Sequence, residues 1–76
     1  EEEEPQTDGI PMAELQKMIR ELPDGYRTVF NLYVLEGMSH KEIASLLGIS
    51  EGASYSQFSR ARARLAAKIK EYRNER

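Results

Sequence analysis

Ser39 to Ser50 (SHKEIASLLGIS) holds two helix starts and one helix stop within a single short stretch. Ser39 and Glu42 make the S-x-x-E pattern of a capping box. The serine hydroxyl accepts from the backbone N–H three residues on, and the glutamate reaches back to the serine's own N–H. Ile43, Ala44 and Leu47 follow at helical spacing as an inner face. Gly48 stands where a helix end wants positive φ. Ser50 is a second N-cap candidate, and Glu51 lies in a first turn, where the helix dipole favours an anion. Two helices that close together can be joined only by a tight turn, so Gly37–Arg64 reads as a helix-turn-helix.

The rest of the chain supplies two more helices. The first is expected from about Pro11 to Leu22, with Pro11 at a first helical position, where its missing N–H costs nothing. Leu15, Ile19 and Leu22 share one face, with Met12 and Met18 beside it. Pro23 ends that helix and opens the next, expected from about Asp24 to Glu36 with Gly37 as a left-handed C-cap. Tyr26, Val29, Phe30 and Tyr33 mark its buried stripe. Leu32, Val34 and Leu35 make it apolar on further sides, which predicts a central helix. The last helix is expected to run from Ser50 to about Tyr72.

The fold class is therefore all-α: a four-helix domain with a C-terminal helix-turn-helix. Residues 10–76 form that domain. Residues 1–9 (EEEEPQTDG), acidic and broken by Pro5 and Gly9, are expected to be a flexible linker. The chain begins at Glu1, so a parent protein is expected to hold the rest of the function. Its 76 residues make one small domain, burying only about 60% of the surface that the unfolded chain exposes. There is no cysteine, which removes disulfides and Cys-based metal sites and fits a reducing, cytoplasmic setting. No apolar run approaches the roughly 20 residues that span a bilayer.

The net charge of −2 hides a polarised chain. Residues 1–38 carry nine acidic and three basic residues, and residues 39–76 carry four acidic and eight basic. That asymmetry points to a basic nucleic-acid face on the second half. A helical wheel of the last helix locates it. Ser54, Phe58, Ala61, Leu65 and Ile69 share the inward side. Ser56, Arg60 and Ala63 fall opposite them. Ala53, Gln57 and Arg64 flank on one edge, and Tyr55, Ser59 and Arg62 on the other. Small residues near the helix start let it enter a major groove about 12 Å wide. Gln57 and Arg60 can hydrogen-bond base edges, Arg favouring guanine and Gln adenine. Arg62, Arg64, Lys68 and Lys70 suit phosphates, which position without reading sequence. Lys41, in the first turn of the third helix, suits a phosphate because the first helix of such a motif crosses the backbone. The alternative is a solvated face of intrahelical ion pairs, but between Gly52 and Ala67 there is no Asp or Glu.

Catalysis finds no support. Ser39, Ser50, Ser54, Ser56 and Ser59 have no second His or buried acid to form a triad. His40 is the only histidine; one histidine makes no zinc site, and a surface or capping role is expected for it. Asp24, Gly25 and Gly52 form no phosphate loop. No cofactor, metal or small-molecule substrate is expected.

Several short motifs in order then carry a resemblance: Leu22-Pro23, Tyr26-Arg27-Thr28-Val29-Phe30, Glu36-Gly37-Met38-Ser39, Lys41-Glu42-Ile43-Ala44, Leu47-Gly48-Ile49-Ser50-Glu51-Gly52 and Ser59-Arg60-Ala61-Arg62. Together they resemble the fourth region of bacterial sigma factors, most of all the extracytoplasmic-function group, over about residues 12–72. The resemblance implies binding to the −35 promoter element while core RNA polymerase holds the sigma factor, so that transcription starts there. It also implies contact with the flap of the polymerase β subunit and masking by an anti-sigma factor. A separate second region would read the −10 element.

The family pattern after the S-E-G turn is commonly T-V-K-S-R-L-x-R-A-R. Ser56, Arg60 and Arg62 match it. Ala53 stands in place of the threonine, and Tyr55 and Gln57 in place of basic residues. Ser54 and Phe58 replace apolar residues at inward positions. Ser54 therefore needs an internal partner, and a backbone carbonyl one turn back is the expected one. Two other readings stay open here. One is a LuxR-type response-regulator output domain, which shares the G-x-S-x-K-E-I-A stretch and four helices. The other is a helical module whose basic helix docks an acidic protein.

Overall fold

A computed structural model describes residues 9–75. The expected linker lies outside the described residues except for Gly9. Four helices follow in order, α1 (Met12–Arg20), α2 (Asp24–Val34), α3 (His40–Leu47) and α4 (Glu51–Asn74). Among the described residues there is no strand, so the fold is all-α, as the periodicity predicts.

The helix starts follow from local chemistry. Ser39 Oγ accepts from Glu42 N–H at 3.1 Å, and Glu42 Oε1 accepts from Ser39 N–H at 2.8 Å, completing the capping box. Gly48 closes α3 at φ 71°, in the left-handed region that costs glycine nothing. Ser50 Oγ then accepts from Ala53 N–H at 2.9 Å and starts α4.

The two prolines act one position earlier than expected for Pro11. Pro11 is the N-cap of α1, with ψ 143°, and only its carbonyl enters the helix, accepting from Glu14 and Leu15 N–H at 3.0 and 3.1 Å. Pro23 repeats this at α2, with ψ 148° and Arg27 N–H at 2.8 Å. Because a residue before proline is pushed out of the α region, α1 ends at Arg20 rather than Leu22. The Arg27 guanidinium locks this corner. It donates to the carbonyls of Arg20 at 2.8 Å and Leu22 at 3.3 Å, and pairs with Asp24 at 2.7 Å.

The 24 residues of α4, at about 1.5 Å each, set the 41 Å long axis of the molecule. This helix packs against all three others, most extensively α2. Met18, Leu22, Val29, Phe30, Ile43, Phe58, Ala61, Leu65 and Ile69 form the core. The spine of the domain is therefore α4, and α2 is less central than its composition predicts. Val29 and Phe30 are buried, but Tyr33, Val34 and Leu35 are exposed. The nine residues of α1 are too short to cover that end.

Candidate nucleic-acid interface

Each residue of the inward set on α4 is buried: Ser54, Phe58, Ala61, Leu65 and Ile69. Ser56, Arg60 and Ala63, opposite them, are exposed. The wheel thus holds along the helix axis. It is at the two edges that neighbouring helices decide where a side chain lies.

On one edge, Arg64 is exposed and its guanidinium lies 5.4 Å from the centroid of the Tyr26 ring on α2. Ala53 is half-buried. Gln57 departs from the outward reading. It lies half-buried against the start of α2, where its Oε1 is 3.4 Å from the position of a Cβ on Gly25. That oxygen is buried and has no hydrogen-bond partner. On the wheel Gln57 borders the inward face, and the missing side chain of Gly25 gives it room there.

On the other edge, Tyr55 is 54% exposed. The Ser59 hydroxyl is buried without a hydrogen-bond partner. Arg62 is half-buried and departs from the phosphate side. Its guanidinium lies 5.2 Å from the Phe58 ring centroid, and it lines a groove of about 660 Å³ between α1, α2 and α4. Lys68 pairs with Glu21 of α1 at 3.1 Å, while Lys70 is exposed. Lys41 is exposed in the first turn of α3. The open face therefore brings together Tyr55, Ser56, Arg60 and Arg64, with Lys41 on the preceding helix.

The partner of Ser54 is not a backbone carbonyl. The carbonyl one turn back, on Ser50, takes Ser54's own N–H at 3.0 Å. The hydroxyl instead lies 2.8 Å from His40 Nδ1. His40 is accordingly no plain surface residue. Its ring stacks on Tyr33 with centroids 4.6 Å apart and meets Tyr55 and Phe58 edge-on, 5.6 and 5.8 Å away at 77° and 62°. One signal for this pair was present in the sequence: a serine on an apolar face, opposite the only histidine. Periodicity alone could not bring the two together.

A family model described as "Sigma-70, region 4" matches residues 12–65. The chain belongs to the sigma-70 region 4 family. It is 45% identical over 47 residues to the ECF RNA polymerase sigma factor SigM of Bacillus subtilis (strain 168). That match covers 62% of this chain and 29% of the relative, so the chain spans under a third of that protein. No solved structure matches. The region 4 family is a DNA-binding one with a role in transcription initiation, and the match runs through α3 and most of α4. Among the described residues no helix is long and apolar enough to cross a membrane.

Proposed function

We propose that this region 4 domain reads the −35 element of a promoter as part of a sigma factor held by core RNA polymerase. The observation that carries this is the open face of α4. It presents Ser56 and Arg60 at its centre, Tyr55 and Arg64 at its edges, and no carboxylate from Gly52 to Ala67. The turn at Gly48–Ser50 joins this helix to α3, which packs against it, and Lys41 stands in the first turn of α3. In a helix-turn-helix that geometry puts the start of the second helix in the major groove and the first helix over the backbone. Arg60 is then the residue suited to a guanine edge, and Lys41 and Arg64 suit phosphates. Gln57 reaches a base only by leaving its seat beside Gly25.

A second surface supports the polymerase part of the reading. Met12, Val34 and Leu35 are 66%, 50% and 70% exposed and border the apolar groove between α1, α2 and α4. We assign the β-subunit flap to this groove, with an anti-sigma factor competing for the same apolar surface. Arg20 and Arg62 also line it.

The test is fluorescence anisotropy with duplex DNA over a salt series, for the chain alone and within a sigma factor bound to core polymerase. A single module of this type buries roughly 600–1,000 Å², so weak binding is expected alone. Affinity should fall with salt at a slope of about −0.9 per phosphate neutralised. No duplex binding at low salt, even with polymerase present, would sink the reading.

A further inference from the structure

We infer that His40 is a positioning residue for DNA reading: with Ser54 it fixes how the first two turns of α4 sit against α3, and so where Tyr55 and Ser56 face the groove. This rests on the DNA reading above and names a residue which that reading does not use. Ser54 is fully buried, and it is the one buried polar residue among the described core positions. Its hydroxyl meets His40 Nδ1 at 2.8 Å; which atom donates follows from the histidine tautomer. His40 is the first residue of α3, and Ser54 lies in the first turn of α4. The bond therefore ties together the starts of the two helices that make up the DNA-binding motif.

The physical need for it is directional. The other α3 side chains buried beside α4 are Ile43 and Ala44, and apolar burial is non-directional. It holds the helices together but only weakly opposes a small rotation of α4. A hydrogen bond has a narrow range of length and angle. A rotation of α4 that swept Ser56 and Arg60 sideways would have to break it and leave a buried hydroxyl unpaired. The ring adds a second constraint. It is stacked on Tyr33 of α2, and on α4 it meets both the exposed Tyr55 at 5.6 Å and the buried Phe58 at 5.8 Å, so one side chain touches both the buried and the exposed sides of the first two turns of that helix.

The test uses the 76-residue chain and four variants, His40→Ala, His40→Asn, Ser54→Ala and the double His40→Ala/Ser54→Ala. The probe is a duplex selected by the wild-type chain from a randomised pool, compared with a shuffled duplex of the same composition. Asparagine keeps a polar atom near the place of Nδ1. Amide hydrogen exchange along α4 is measured on the same samples. His40→Ala and Ser54→Ala should each lower the selectivity ratio roughly tenfold, the size of one lost hydrogen bond, at an unchanged salt slope. Exchange should quicken at residues 53–58 and stay nearly constant at Leu65 and Ile69. His40→Asn should recover much of the selectivity, and the double variant should be no worse than either single one. An unchanged selectivity ratio in His40→Ala would overturn the inference, as would exchange that rises evenly along α4 or single losses that simply add. If the wild-type domain prefers no duplex over its shuffled form, either alone or within a sigma factor bound to core polymerase, the DNA reading fails and the positioning role with it. The exchange pattern would then show separately whether the contact between the helix starts exists.

Discussion

The guanidinium of Arg64 lies over the ring of Tyr26, 5.4 Å from its centroid, and so holds a cation of α4 against α2 on the border of the open face. Arg64 is exposed and Tyr26 half-buried, and an exposed cation over a ring is held by about 0.5–1 kcal/mol, which orients the side chain without trapping it. Arg64→Ala should weaken binding to every duplex alike and reduce the steepness of the salt dependence by about 0.9. Tyr26→Leu should leave that slope unchanged, because the charge remains. Anisotropy with matched and shuffled duplexes checks both. A loss confined to one sequence in Arg64→Ala would make it a base reader instead.

Arg60 stands at the centre of the exposed face. Arg60→Ala should cost roughly 1–3 kcal/mol on the preferred duplex and relax the preference at one base pair. Selection from a randomised duplex pool, run on both proteins, measures this. Equal losses on all sequences would reduce Arg60 to a phosphate contact.

Gln57 carries a buried amide oxygen with no partner. Replacing an unpaired polar group by an apolar one of similar shape is neutral to stabilising. Gln57→Met should therefore keep or slightly raise the melting temperature and leave base preference unchanged. A changed preference would show that Gln57 swings out from Gly25 on binding.

Leu35 is 70% exposed beside the groove, so its substitution leaves no cavity. Leu35→Glu should change the melting temperature little and leave duplex binding intact, yet weaken association with core polymerase at least tenfold by putting a charge into the apolar surface proposed for the flap. Pull-down with core enzyme and anisotropy on the same preparation separate the two effects. Normal polymerase association would clear the groove of this role.

Gly48 and Gly52 lie at opposite ends of the turn and predict opposite signs. A Cβ on Gly48 meets nothing within 4 Å, but its φ is +71°, so Gly48→Ala should cost about 1–2 kcal/mol through conformation alone. Gly52 is inside α4 with no positive φ, and its Cβ would meet only Ser50 Oγ at 3.9 Å. Gly52→Ala should gain up to about 1 kcal/mol. In a domain of this size 1 kcal/mol moves the melting temperature about 4–8 °C. Thermal unfolding followed by circular dichroism reads both. The same sign for the two would contradict the turn geometry.

The capping box, the glycine stop and the two Ser caps were legible because they depend on neighbours three or four residues away. The inward set of α4 was legible for the same reason, since one period describes the whole helix. The edges were not. Gln57 and Arg62 border the inward face on a wheel, and a wheel has no second helix on it. It took the space beside Gly25 to draw Gln57 inward, and the opening between α1 and α2 to receive Arg62. The apolar end of α2 departs from its pattern in the opposite sense. Val34 and Leu35 suggest burial by composition, but α1 is too short to cover them.

By itself the sequence determined four helices, their order, the turn between the last two, and which side of α4 carries small residues and arginines. Those properties are local, set by hydrogen bonds and periodicities within one helix turn. Only the tertiary structure decided that His40 meets Ser54, that Arg64 rests on Tyr26, and that an apolar groove stays open beside α2. These depend on how rigid helices of given lengths cross. That crossing is set by the packing of Phe30, Ile43, Phe58 and Ala61 in the core, whose relative positions no spacing along the chain encodes.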